Sequence, residues 1–442
     1  MESTQAVRIE LADFRTRPMR AFHTTWMAFF VCFFSWFAVA PLMPIVRDRF
    51  GLTKTQMGNA VIASVAVTII ARLIVGRILD RFGPRRTYAA LLFLGAIPVV
   101  GIGLAETYPQ FLAARLAVGF IGASFVITQY HTSVMFAPNV VGTANAVTAG
   151  WGNLGGGVTQ IAMPLVLAGL ASLGMPHAIG YRVAMVLPAT LLVVMGILYL
   201  RNTTDVPEGN YPEVKRDPGA TAKAPFREAL SDPRVLVLAI AYAACFGVEL
   251  TINNVAATYF HDHFGLGLTA AGMVAGLHGL MNLFARALGG IGGDRAGIRH
   301  GLRGRVLFLA AILLLESVAL LGFSRAHHLG PAIALLVVFS LFVEMACGAT
   351  FSVVPMVNRK ALGSVSGVVG AGGNLGAVAA GFLFRSESIH ATDAFLAMGV
   401  FVLVAGLLVP FVGFSEEEEA AAQAALERSL REREALAAVP AE

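Results

Sequence analysis

Long apolar runs, broken by short clusters of charge, proline and glycine, recur along almost the whole chain. Twelve stand out: 23-46, 55-80, 86-105, 109-132, 139-171, 180-200, 233-260, 268-293, 303-324, 329-354, 361-384 and 391-414. A helix needs about 20 mostly apolar residues to cross a hydrocarbon core about 30 Å thick, and the runs have that length. Lipid offers the backbone no hydrogen-bond partner, so runs of this length satisfy themselves as helices rather than as the shorter strands of a barrel. The pattern predicts an all-α integral membrane protein of 12 transmembrane helices.

The polar stretches between the runs set the expected organisation. Residues 1-22 form a cytoplasmic N-terminal segment; the apolar run after them is too long for a signal-peptide core and no small-residue cleavage site follows, so the first span is expected to be retained. The composition shifts most at 201-232, rich in Asn, Asp, Pro and Lys, which reads as a cytoplasmic linker between six-helix halves at 23-200 and 233-414. The tail, 415-442, opens with four glutamates and continues in Ala, Glu and Arg, good helix formers expected to lie in solvent.

Composition agrees: 57% of residues are hydrophobic and 13% charged, against about 25% charged in a soluble protein. The net charge of +5 raises nucleic acid or anionic lipid as partners, but the basic residues are strung along loops rather than gathered on one face. With both termini inside, internal segments hold roughly 22 Lys and Arg and external loops roughly six, the positive-inside bias of a cytoplasmic membrane protein. Cys32, Cys245 and Cys347 fall in apolar runs without metal-ligand spacing, and are expected to be packing residues.

The chain repeats itself. Residues 71-85 read ARLIVGRILDRFGPR and 285-299 read ARALGGIGGDRAGIR; both fit A-R-x-x-x-G-x-x-x-D-R-x-G-x-R, and one offset of 214 residues relates 72 to 286 and 80 to 294. A second pair, GWGNLG at 150-155 and AGGNLG at 371-376, matches Asn153 with Asn374. Two related halves about a membrane-normal axis, with the substrate near the midplane between them, are the architecture of major facilitator transporters. The segment at 76-86 resembles that superfamily's signature between spans two and three. Asp80, Arg81 and Arg85, with Asp294, Arg295 and Arg299, are therefore expected to hold the gate on that side through charge-assisted bonds rather than to touch substrate.

Arg72 lies eight residues before Asp80, about 12 Å up its helix and so near mid-membrane, and Arg286 holds the equivalent place. A charge there costs at least about 2.5 kcal/mol. Two facing cations call for an anion, and the planar guanidinium suits a small planar monoanion such as nitrate, nitrite or bicarbonate. The competing reading pairs each arginine with a carboxylate in its own half, although the flanking runs offer few. The glycines of spans five and eleven let helices approach closely, whereas Asn153 and Asn374 offer amide donors to an anion.

AGWGNLGGGVTQ (149-160) and GAGGNLGAV (370-378) resemble the two signature motifs of the nitrate/nitrite porter family of the major facilitator superfamily, and GVELTINN (247-254) with NLFARALGG (282-290) resembles the helix seven to eight region of its uptake members. The resemblance runs along nearly the whole chain. It implies that Arg72 and Arg286 bind the anion, that Asn153 adds a donor, and that Tyr242, Phe246 and Phe125 line the site. Spacing alone sets Tyr242 and Phe246 on one helix face, which core packing would also explain. The connection of about 30 residues lacks the insertion of fungal members and the tail is short beside plant ones, which implies a stand-alone carrier in a prokaryotic inner membrane.

The expected function is therefore secondary active transport of nitrate and/or nitrite, with proton-coupled uptake favoured over nitrate/nitrite exchange. Glu249, Glu316 and Glu344 lie inside predicted spans and are the proton-relay candidates; His131 and His278 are weaker ones. No HExxH, GxSxG or clustered Cys/His points to an enzyme, a metal or a cofactor, and the short tail offers no signalling domain for a sensor.

Overall fold

The computed structural model describes residues 5–136, 140–211, 231–357 and 362–424. The chain forms α1 (Arg17–Phe37), α2 (Met43–Phe50), α3 (Lys54–Leu104), α4 (Tyr108–Val118), α5 (Ser124–Met135), α6 (Val141–Ser172), α7 (His177–Ala184) and α8 (Val186–Asn202). The second half continues with α9 (Pro233–Phe264), α10 (Leu268–Leu280), α11 (Ala285–Ser324), α12 (Leu329–Val357), α13 (Leu362–Arg385) and α14 (Ala391–Leu408). Eleven of the described segments are long and apolar enough to cross a membrane. One of them, Leu268–Ser324, has 57 residues, about 85 Å of helix, and turns at His300 and Gly301; it makes two passages, which brings the count to twelve.

The glycine-rich runs are where helices meet. In α6, a Cβ on Gly155 would stand 2.1 Å from the Phe30 carbonyl oxygen of α1, and one on Gly157 would stand 2.5 Å from Gly279 of α10. In α13, the backbone oxygens of Ala239 and Ala243 on α9 would lie 2.4 and 2.5 Å from a Cβ on Gly372 and Gly376. No side chain fits at these seams. The α6–α10 seam joins the two halves, and α3 crosses to α13 in the same way, where a Cβ on Gly58 would stand 2.3 Å from the Arg385 Cα.

The two ends of the bundle differ. At the end formed by α2, the start of α3 and the end of α9, polar contacts cross between the halves: Arg47 pairs with Asp262, Lys54 donates to the Ile389 carbonyl, and Thr55 donates to Glu387 at 2.9 and 3.0 Å. This is the far end. At the motif end, the contacts of Arg85, Arg234 and Arg305 stay within their own halves. Arg85 Nε donates to the Leu200 carbonyl at 2.9 Å, Arg234 bridges Asp232 and Glu418 at 2.9 Å each, and Arg305 pairs with Asp294.

Both halves turn at the motif end on a glycine with positive φ, Gly83 (φ 80°) and Gly301 (φ 65°). The repeat aligns Gly83 with Gly297, so the turning glycine comes four residues later in the second copy. After each turn a carboxylate caps the new helix. Asp205, beyond α8, accepts from the Arg85 N–H at 2.9 Å; Glu419, beyond α14, accepts from the Leu302 and Arg303 N–H groups at 3.0 and 3.2 Å. Of the four glutamates that open the tail, Glu418 and Glu419 are therefore docked on the bundle, Glu419 because the first N–H groups of a helix need an acceptor, while Glu416 and Glu417 are exposed, as expected for a solvated segment. Asp294 meets Arg305, while Arg81, Arg295 and Arg299 are exposed; the side chain of Asp80 lies outside the described residues.

Candidate functional site

The helix with Arg72 and the helix with Arg286 carry their guanidiniums into the centre of the bundle, where the two meet opposite surroundings. Arg72, on α3, forms no ion pair among the described residues. Its Nη1 donates to the Gly370 carbonyl on α13 at 3.3 Å, and its Nε has no partner. Aromatic faces flank it instead: the guanidinium carbon is 5.3 Å from the Phe125 ring centroid and 6.0 Å from that of Phe246. Such contacts stabilise a cation by about 0.5–2 kcal/mol. Phe246 stacks on Tyr242 at 5.0 Å and 7°, and Phe351 closes on Tyr242 edge-on at 5.1 Å. A Cβ on Gly373 would lie 2.6 Å from Phe246 and 2.9 Å from Tyr242, so the second signature motif needs glycine there to seat the stack.

Arg286, on α11, sits between two fully buried carboxylates. Its Nη2 lies 2.5 Å from Glu249 Oε2 on α9 and 3.0 Å from Glu344 Oε2 on α12, and its Nε lies 3.1 Å from the same Glu344 oxygen. Asn282 Nδ2 ties the carboxylates together, donating to Glu344 Oε1 at 2.9 Å and Glu249 Oε1 at 3.3 Å. From the other half, Asn153 Nδ2 reaches Glu249 Oε1 at 3.1 Å. For Arg286 the competing reading, pairing with carboxylates of its own half, holds, although its flanking runs offer few acidic residues. Its partners come from positions 37 and 58 residues away in the chain, brought in by neighbouring helices of its own half.

On α9, Phe246 meets the first arginine and Glu249 the second, three residues or about 4.5 Å further along the helix. Asn374 Nδ2 donates to the Gly370 carbonyl of its own helix at 3.2 Å. The Asn153 and Asn374 amides each donate once to the described residues and keep a second hydrogen for another acceptor. Glu316 lies elsewhere on α11, fully buried, with no hydrogen-bond partner on either oxygen among the described residues. His131 is held by Tyr199 and the Thr204 carbonyl at 2.5 and 2.8 Å, and His278 by Ser340 at 2.7 Å. Glu249, Glu344 and Cys347 bring their ligand atoms within 4.8 Å of one another, but Arg286 already supplies the positive charge there. Asn282 and Phe351 escaped the sequence reading. Asn282 carried a signal, four residues before Arg286, the spacing of one helix face.

The Major Facilitator Superfamily model matches residues 25–381. Among solved structures, a bacterial homologue of the human lysosomal transporter Spinster superposes with a TM-score of 0.69 over 90% of this chain and 97% of its own, at 16% identity. The fold and the polar cluster between its halves define a major facilitator transporter. The chain is 39% identical over 403 residues to the high affinity nitrate transporter 2.5 of Arabidopsis thaliana, covering 90% of this chain and 80% of that one. It is 38% identical over 408 residues to nitrate transporter 2.1 of Chlamydomonas reinhardtii (89% and 74% covered), and 27% identical over 464 residues to the nitrate/nitrite transporter NrtP of Nostoc punctiforme (89% and 91%). The chain belongs to the nitrate/nitrite porter family of that superfamily.

Proposed function

We propose that this transporter carries nitrate and/or nitrite by alternating access, and that nitrate uptake is coupled to protons. The observation that carries the reading is the contrast between Arg72, a half-buried cation with aromatic walls and no carboxylate among the described residues, and Arg286, a cation shared by two carboxylates. A flat monoanion fits against the Phe125 and Phe246 faces while accepting from the fork of Arg72. Asn153 and Asn374, with Tyr242, complete its surroundings from both halves. Arg286 with ionised Glu249 and Glu344 sums to one negative charge one turn away, and an arriving anion is repelled by it. A proton on the carboxylate pair removes that charge, so anion and proton favour each other's binding.

Moving one negative charge inward against 100 mV costs about 2.3 kcal/mol. Two protons per nitrate reverse the sign of that term, with Glu316 the third candidate carrier. The Lys and Arg bias supports both termini and the motif end lying inside, and the short connection between the halves supports a prokaryotic inner membrane. The far-end contacts between the halves then suit a state closed to the outside. The 23-200 and 233-414 halves would rock about the site, with the polar region at 201-232 joining them; residues 212-230 of it lie outside the described residues.

Proteoliposomes decide between symport and exchange. In vesicles without internal nitrite, an inward proton gradient is expected to drive nitrate accumulation. Uptake that requires internal nitrate or nitrite and ignores the gradient would make the protein an exchanger.

A further inference from the structure

Seven residues into α4 lies a third guanidinium that the site above does not use. Arg115 is 1% exposed, joins no ion pair among the described residues, and has no hydrogen-bond partner for its Nε. Its Nη2 donates to the side-chain oxygen of Asn254 on α9 at 2.8 Å, and Nη1 to the Trp36 carbonyl at 3.5 Å. The orientation of Asn254 is fixed, because its Nδ2 donates to the Leu250 carbonyl at 2.9 Å, which leaves the oxygen facing the arginine. Ser64 of α3 reaches the same oxygen at 3.4 Å. A buried cation is costly without a counter-charge. Here a single neutral amide oxygen occupies the place of one.

Three helices give the depth of this contact independently. Ser64 comes eight residues before Arg72, Asn254 eight after Phe246, and Arg115 ten before Phe125; each interval is about 12–15 Å of helix. All three lead toward the far end. The contact also crosses the halves, with Arg115 and Ser64 on one side and Asn254 on the other. Parting the halves at the far end must break it.

We propose that Arg115 is a second anion station on the path from the far end to Arg72. With that end open, Asn254 is withdrawn and the guanidinium, donors free, takes up an incoming planar anion. As the halves close, the amide oxygen of Asn254 returns to the same donors, displaces the anion, and leaves Arg72 as its next partner. The exchange of one acceptor for another makes passage directional within a stroke. This inference rests on the proposed anion cargo.

The test compares initial rates of nitrate transport in right-side-out and inverted membrane vesicles, with thermal unfolding of each purified variant alongside. Arg115→Gln is expected to raise KM at least tenfold for entry from the side the far end faces, and less than twofold from the other. Arg115→Lys, which restores a point charge, should bring that KM back to within about threefold of wild type. Asn254→Asp, a permanent counter-charge, should cut kcat at least tenfold while nitrate binding to the purified protein stays within twofold. Should Arg115→Gln fail to insert, the Lys and Asp variants carry the same distinction. Equal KM shifts from both sides, an unchanged far-side KM, or full turnover in Asn254→Asp would overturn the station and leave the cargo intact. A wild-type protein that moves neither nitrate nor nitrite would overturn both readings.

Discussion

Arg72 and Arg286 occupy matched positions of an internal repeat, yet one is walled by Phe125 and Phe246 and the other is clamped by Glu249 and Glu344. Duplication supplied two equivalent cations; the helices packed around them left one without a carboxylate among the described residues and made the other part of a charged network. The difference assigns separate work to the halves. In the proposed function, the N-terminal half presents charge to the cargo, and the C-terminal half holds the groups whose protonation would alter that charge.

The comparison breaks hardest at Arg286. Arg286→Gln strands two buried carboxylates, and loss of one partner of such a network destabilises by about 3–5 kcal/mol. The expected result is a large drop in unfolding temperature, partly restored by adding Glu344→Gln, whereas Arg72→Gln leaves no acid unpaired and should unfold near the wild-type temperature. Arg72→Lys keeps the charge but loses the fork, and nitrate binding should weaken on the order of 100-fold, as expected for two charge-assisted bonds. Near-normal affinity in that variant would remove the fork from the mechanism.

Glu344→Gln sharpens the division from the other side. Gradient-driven accumulation should disappear, while nitrate exchange between equal pools stays within about threefold of wild type; a cation–aromatic contact of about 0.5–2 kcal/mol sets the scale of the next effect. Phe125→Leu should weaken nitrate binding roughly three- to thirtyfold, read by titration of the purified protein. An unchanged Phe125→Leu titration would mean that the aromatic wall packs the helix without meeting the cargo.

The smallest effect is expected at the tail. Accepting from the Ser415 N–H and pairing with Arg234 hold the Glu418 carboxyl below its ordinary range. A depressed carboxylate contributes to docking above its free value, and the contribution disappears as pH falls through the bound value. Protease cleavage near 415 should therefore rise only below about pH 4.5. Cleavage that rises already near pH 6 would show that Glu418 does not hold the tail.

The spans, the repeat and the arginine pair were legible because each is written in local order: apolar length, a fixed offset, a charge amid hydrocarbon. Phe125, Phe246 and Tyr242 were placed by resemblance, and the contacts of Arg72 are with two of them. What surrounds Arg286 was not legible, since Glu249 and Glu344 reach it only through the packing of three helices, and helix neighbours are not neighbours in sequence. The shift of the turning glycine from the position matching Gly83 to Gly301 was hidden by the repeat itself, which aligns Gly83 with a glycine, Gly297, that remains helical. Arg115 carried a visible signal, a basic residue inside the run at 109-132, and its partner Asn254 sits in a motif valued for other residues.

The carboxylates of Asp205 and Glu419 have a mechanical consequence. Each ties the chain just beyond the last helix of its half to the turn between the second and third spans of that half, so that the last four spans, joined in series, are also closed into a ring. A series of rods bends at every joint, whereas a closed ring of them resists shear. In the proposed rocking cycle, force applied at the far end, where Arg47 and Asp262 would part, would pass along such a ring to the motif end with little lost to bending, the centre of the bundle serving as the fulcrum.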